Sequence, residues 1–82
     1  MELERGQLVR STAGHDKGEL MIVLGFQGQR VLLCDGKHHK MENPKCKNVK
    51  HIQKHSQVLD VSLMTTDRKI RKMLNKIANP GG

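Results

Sequence analysis

The stretch GQLVRSTAGHDKGELMIVLGFQGQRVLLCDG, residues 6–36, decides the fold. Within it, three short apolar blocks alternate with glycine and aspartate: Leu8-Val9, Leu20 to Leu24, and Val31 to Cys34. Blocks this short, rich in Val, Leu and Ile and bounded by turn formers, read as strands, because an amphipathic helix needs a longer periodic run. Phe26-Gln27-Gly28-Gln29 reads as a hairpin loop. Asp35-Gly36 reads as a type I′ turn, which requires φ > 0 at both central residues. Three strands joined by tight turns predict a small antiparallel β-barrel.

Beyond residue 36 the character changes. Residues 37–55 hold six Lys and four His against a single acid, Glu42. Asn43-Pro44 marks a loop there, and Val49 and Ile52 can anchor a closing strand. Leu59, Val61 and Leu63 alternate, which fits an edge strand or an extended segment packed on the barrel. Thr66 is placed to cap a helix, with Asp67 in its first turn complementing the helix dipole. Ile70, Met73, Leu74 and Ile77 follow at i, i+3, i+4 and i+7 and form one apolar stripe. Arg68, Lys69, Arg71, Lys72 and Lys76 fill the remaining circumference, for RNA contact or for solubility. A helix this short is not stable alone in water, so the stripe must dock on the barrel or on a partner. The expected organisation is a barrel over 5–53, a connecting or edge segment over 54–65, a basic amphipathic helix over 66–78 and a disordered tail over 79–82.

An 82-residue chain fits one small domain with a short appendage. It has one Phe and neither Trp nor Tyr. That excludes functions built on aromatic surfaces: base-stacking sheets, single-strand platforms, methyl-lysine cages and grooves for Pro-rich peptides. Phe26 serves either as core filler or as a loop-tip ring for one exposed base. The net charge is +7, and it is unevenly placed: residues 1–36 carry four basic and five acidic groups, residues 37–82 eleven and three. Such an asymmetry reads as a surface facing a polyanion, with RNA, DNA and anionic membrane as candidates, or as a basic surface kept for solubility. No stretch approaches the about 18 apolar residues of a membrane span, and residues 1–5 lack the features of a signal peptide. A cytoplasmic protein with no membrane partner and two reduced thiols is therefore expected.

Gly6 to Asp35 resembles the KOW motif, in which a strand, a glycine-bounded loop and a second strand follow one another. Val9 matches the first strand, Gly14-His15-Asp16-Lys17-Gly18 the loop, and Val23 the strand that follows. The Asp35-Gly36 turn, the basic segment and Asn48-Val49-Lys50-His51-Ile52 extend the resemblance, over residues 5–53, to the archaeal and eukaryotic large-subunit ribosomal protein fourteen (e-type). The chain is most similar to the short bacterial KOW-domain RNA-binding proteins of that kind. The resemblance implies an SH3-like barrel, a monomer, that contacts RNA, usually ribosomal RNA, through the KOW loop and its neighbouring surface. Many KOW motifs carry a second glycine early in the next strand. Here Met21 stands instead, implying side-chain packing rather than close backbone approach.

The residue chemistry bears on the same reading. Gly14 and Gly18 can adopt φ > 0, which would aim successive backbone N–H groups into one concave phosphate site. Lys17 would add a charge-assisted contact, and His15 a ribose hydrogen bond or a stack. The plainer reading of the loop is a glycine-closed hairpin with Lys17 solvated. Lys37, Lys40, Lys45, Lys47, Lys50 and Lys54, with His38 among them, form either the phosphate-facing surface or a solvated face. Lysine is a compact hydrated charge and a poor bidentate reader, so this composition favours backbone contacts over base readout. Arg10 and Arg30, pointing outward from their strands, are secondary RNA candidates.

Cys34, His38, His39, Cys46, His51 and His55 include zinc-ligand types, but their spacing matches no zinc ribbon, and no metal or cofactor is expected. The acids are scattered, no phosphate-binding G-x-x-x-x-G-K-[ST] pattern occurs, and no enzyme is expected. The second functional reading is a protein-interaction KOW module of the transcription or translation machinery, with Ile70, Met73, Leu74 and Ile77 facing a ribosomal or transcription protein. DNA remains an alternative polyanion, since phosphate chemistry is shared.

Overall fold

The apolar blocks become strands, each somewhat longer than its hydrophobic run. The computed structural model describes residues 2–81. Strand β1 is Gln7–Ser11, β2 Leu20–Gln27 and β3 Arg30–Cys34, followed by β4 (Lys45–Asn48), β5 (Ile52–Val58) and helix α1 (Asp67–Ala78). Single 3-10 turns lie at Val49–His51 and Val61–Leu63. The strands form one antiparallel sheet in the order β4-β3-β2-β1-β5. Gly28-Gln29 closes the β2–β3 hairpin beyond the Gln27–Arg30 pair. A register shift between Val23 and Gly25 leaves Leu24 as an extra residue, and such a bulge bends and twists the strand.

The sheet's two edges, β4 and β5, are separated in sequence only by the Val49–His51 turn. Four inter-strand spacings would set the edges of a flat five-stranded sheet about 19 Å apart. The four residue steps from Asn48 to Ile52 span at most about 14 Å even when fully extended, and a 3-10 turn spans less. The sheet must therefore curl. The turn bonds to both sides of it: Val49 N–H donates to the Gln29 carbonyl at 3.3 Å and Thr12 N–H to the His51 carbonyl at 2.9 Å.

Curling gives the sheet two buried faces. Val9, Met21, Val23, Val31, Leu33 and Ile52 form one apolar cluster, with Leu3 and Val49 packed against it. Leu8, Ile22, Cys34, Leu59, Met64, Ile70 and Leu74 form the other, beneath α1. Consecutive strand residues thus serve opposite cores, which is why Met21, Ile22 and Val23 are all fully buried. Met21 packs in the first of these clusters. Helix α1 begins as the sequence indicates, Thr66 Oγ1 accepting the Lys69 N–H at 3.2 Å. Ile70 and Leu74 are buried against the sheet, with Met73 and Ile77 partly so. Full burial of side chains this size is worth about 1.5–3 kcal/mol each, which anchors a helix that could not stand alone.

Several expectations need correction. Mainly β with one C-terminal helix is right, but the sheet is not closed into a barrel: no ladder joins β4 to β5 among the described residues. The strand expected to end near residue 53 continues to Val58, and the segment holding Val61 and Leu63 is a 3-10 turn, with both side chains about half exposed. Only Leu59 of that alternating trio is buried. Phe26 is 50% exposed and is not core filler. Of the expected disordered tail 79–82, Gly82 lies outside the described residues, and Asn79 caps α1 by donating its N–H to the Asn75 carbonyl at 2.9 Å. Among the described residues no helix is long and apolar enough to cross a membrane.

Asp35-Gly36 is not a type I′ turn either. Gly36 has φ +76°, but Asp35 keeps a negative φ, and its carboxylate instead accepts the N–H groups of Lys37 and His39, each at 2.9 Å. What demands glycine at 36 is the helix. A Cβ there would lie 2.1 Å from the Asp67 carbonyl oxygen and 3.0 Å from the Arg71 nitrogen. Gly28 also has positive φ (+59°) but faces open space. Gly28→Ala is therefore expected to cost about 1–2 kcal/mol, the conformational penalty alone. Gly36→Ala adds a backbone clash and should cost at least about 2 kcal/mol more, with loss of helix docking. Urea melts of the two variants compare them directly, and equal costs would refute the close approach.

Candidate nucleic-acid interface

The β1–β2 connection, residues 12–19, holds the loop that the sequence singled out. Gly14 and Gly18 take φ +84° and +91°, the conformations anticipated for them. Their geometry does not build a ring of free donors, however. Lys17 N–H donates to the Gly14 carbonyl, Gly18 N–H to the Ser11 carbonyl and Glu19 N–H to the Asp16 carbonyl, at 2.8–3.2 Å. Those three donors are consumed in closing the loop and are not free for an anion. Arg10 supports the same closure through a hydrogen bond to the Gly18 carbonyl. His15 and Lys17 stand exposed at the tip.

Beneath the loop lies a charged pair. Lys47 Nζ approaches Asp16 Oδ1 to 2.7 Å and also donates to the Ala13 carbonyl at 2.7 Å, while Ser11 Oγ donates to the same Asp16 oxygen at 2.8 Å. Both partners are buried, and Asp16 Oδ2 is buried with no partner. Burial pushes the Asp16 carboxyl up, but hydrogen bonds from Lys47 and Ser11 and the charges of Lys47 and Lys45 outweigh it, leaving the group below the ordinary carboxylate range. Lys47, expected on the RNA-facing surface, is thus an internal strut tying β4 to the loop. Alternation in the sequence does not single it out: Lys45 falls at the same period and pairs with equally buried Leu33, yet is exposed, so the inward turn of Lys47 follows from the Asp16 and Ala13 contacts.

Most other expected residues join one connected surface. A groove of about 270 Å³ between the sheet and α1 is lined by Arg10, Lys37, His38 and Arg71 together with Glu19 and Asp35. His38 also lines a second hollow, of about 200 Å³, with His15, His39 and Lys45. Lys45 in turn lines a third, of about 390 Å³, with Arg30, Lys50 and His51 along β4 and the first 3-10 turn. His38 and Lys45 are shared between neighbouring hollows and link the three into one track, whose cations are interrupted by Asp16, Glu19 and Asp35. Lys40 is exposed in the loop before β4 but lines none of these hollows. Arg71, which helical spacing leaves on the polar circumference, reaches the track because α1 docks so closely at Gly36. The helix stripe does not offer a free face, since Ile70 and Leu74 are covered by the sheet.

The cysteines and histidines do not converge as a group. Cys34 is buried, and burial first, then the charges of Asp67 and Asp35, push its thiol up to about 12. A thiol so hard to ionise is a poor nucleophile and a poor ligand.

The internal pair sets an acid limit on stability. Because the folded Asp16 carboxyl titrates below its unfolded value of 3.8, its contribution is complete above about pH 4 and is lost as pH falls through the folded value. Removing one partner strands the other's charge in a buried site, so Lys47→Ala should cost about 3–5 kcal/mol near neutral pH. Lys50→Ala, on the exposed surface, should stay within about 0.5 kcal/mol. Denaturant titration of both variants at pH 7 and pH 3 measures this. The Lys47 deficit should shrink at the lower pH, and a pH-independent deficit would refute the ionic account.

Comparison of the chain with protein-family models gives no match, and comparison with curated proteins gives none.

Proposed function

We propose that this chain is an RNA-binding module that grips structured RNA, ribosomal RNA in the first instance, by its phosphate backbone. The observation that carries the proposal is the connected track from the Arg10–Lys37–Arg71 groove, past His15, His38 and Lys45, to Arg30 and Lys50. Cations spaced over several adjoining hollows match a folded polyanion better than a single small anion. The track is rich in Lys and His and has no Phe, Tyr or Trp, so it favours phosphate neutralisation over extended stacking or base readout. In this reading the curled sheet is a partly open version of the SH3-like barrel that the KOW resemblance implies, and the protein works as a ribosome-associated structural or accessory component. RNA is preferred to DNA because the resemblance of residues 5–53 is to RNA-binding proteins.

The test is charge reversal on the track against reversal away from it. Lys45→Glu with Lys50→Glu should weaken binding to a structured ribosomal RNA fragment at least about a hundredfold, since each charge-assisted contact is worth about 1.5–3 kcal/mol. Lys76→Glu, on the far part of α1, should leave binding within about threefold, the scale of a solvated surface charge. With about five phosphates engaged, log K should fall against log[salt] with a slope near about −4. Fluorescence anisotropy over a salt series reads both effects. Unchanged binding in the double variant, a flat salt dependence, or equal affinity for duplex DNA would overturn the RNA reading.

A further inference from the structure

We propose that Glu19, Asp35 and His38 form a site for a divalent transition-metal ion of the zinc class. One ligand atom from each of the three lies within 4.8 Å of the other two. The convergence follows from the sheet. Glu19 immediately precedes β2 and Asp35 immediately follows β3, and the Ile22–Cys34 pair brings those strand ends alongside each other. The Asp35 carboxylate is fixed in place by accepting the Lys37 and His39 N–H groups through Oδ1, and the same bonds hold His38 above it. Metal–ligand bonds of about 2.1 Å in tetrahedral geometry put donor atoms about 3.4 Å apart. The three groups need only a small contraction to reach that, and Glu19 and His38 have the side-chain freedom to make it.

Two further observations point to a bound cation. The only ion pair within 4 Å among the described residues is Lys47–Asp16, so Glu19 and Asp35 face each other without a paired Lys or Arg in a chain of net charge +7. The adjoining hollow, which Glu19 and His38 also line, carries additional donor residues in His15, His39 and Asp16. Asp16 is 6% exposed, and its Oδ2 has no hydrogen-bond partner. One imidazole with two carboxylates is a borderline donor set that suits zinc better than magnesium or a soft ion. Three protein ligands leave a coordination position open. Arg10, Lys37 and Arg71 on one side and Lys45 on the other lower the affinity for a bare dication and favour an anionic oxygen in that open position. The site is argued without the RNA reading, although His38 and the groove belong to both, and it uses residues that the cysteine and histidine spacing did not bring together.

Titration calorimetry of untagged full-length protein with ZnCl₂ near neutral pH tests the proposal. One Zn²⁺ per chain is expected. His38→Ala and Glu19→Gln should each weaken it at least about tenfold, the loss that even an outer-shell change can cause. His51→Ala, His55→Ala and Cys46→Ser should leave it unchanged. Asp35 is left intact because its carboxylate also holds the loop. Metal-free thermal melts of His38→Ala and Glu19→Gln should match the parent chain, separating lost binding from lost fold. Substitution by Co²⁺ should give a spectrum without a thiolate charge-transfer band. No binding by the parent chain, binding undiminished in both His38→Ala and Glu19→Gln, or a thiolate band would each overturn the site. These outcomes are read without RNA, so a failure of the metal site is distinguishable from a failure of the salt-dependent RNA binding.

Discussion

The three-residue connection between β4 and β5 is the constraint on which the rest depends. It joins the two edges of a five-stranded sheet over a distance that a flat sheet cannot provide, and the curl it enforces creates an inner face with no second layer over it. Burying that face on itself lets a chain of 82 residues with a single aromatic support two apolar clusters. Small domains are short of interior because so much of their chain lies at the surface. Strands whose successive residues all reach a core relieve that shortage without large side chains, which is why Val, Leu, Ile and Met suffice here.

Polar forces shape what the curl leaves outside. The β1–β2 loop has no apolar residue larger than Ala13 between Thr12 and Glu19, so packing cannot fix it. Its form rests on backbone hydrogen bonds, on the Arg10 guanidinium and on the Lys47–Asp16 pair beneath it. A buried ion pair is weak support for net stability, because desolvation offsets most of its attraction. It is strong support for register, since either charge alone would be intolerable in that place. Lys47 therefore locates the loop relative to β4, and so relative to Lys45 and Arg30 beside it.

How much of this the sequence discloses depends on whether a feature is local. Strands at Leu8-Val9, Leu20 to Leu24 and Val31 to Cys34, the Gly28 hairpin, the Thr66 cap and the docking stripe all follow from short-range pattern, and all appear. Asp35-Gly36 misleads because the same dipeptide meets two different demands. A hairpin would use the positive φ of both residues, whereas this fold uses the missing side chain of one to admit a helix backbone 31 residues later in the sequence. The run of lysines misleads in a similar way. Composition makes them equivalent, and their cross-strand partners Val31 and Leu33 are equally buried; only the Asp16 carboxylate and the Ala13 carbonyl of the β1–β2 loop hold Lys47 inward while Lys45 stays out. The meeting of Glu19, Asp35 and His38 is illegible for the same reason, being a product of strand pairing rather than of spacing.

Helix α1 shows how the fold converts these long-range contacts into a shaped surface. The connection between β3 and β4 spans ten residues, 35–44, with no regular structure of its own. A loop that long would ordinarily be loose, and it carries Lys37, His38 and Lys40. It is held at its start by the Asp35 carboxylate and in its middle by Asp67 in the first turn of α1, whose Oδ1 accepts the Met41 N–H at 2.8 Å. Asp67 thus complements the helix dipole and fastens the loop with one side chain. The backbone approach at Gly36 sets the helix near enough for Arg71 to face Arg10 and Lys37 across the groove. The apolar stripe supplies the docking energy, and Asp67 adds a polar tie from the first turn to the loop. Loosening the helix would therefore disperse the cations of the groove and the β3–β4 loop together, even with every one of those charges still present in the chain.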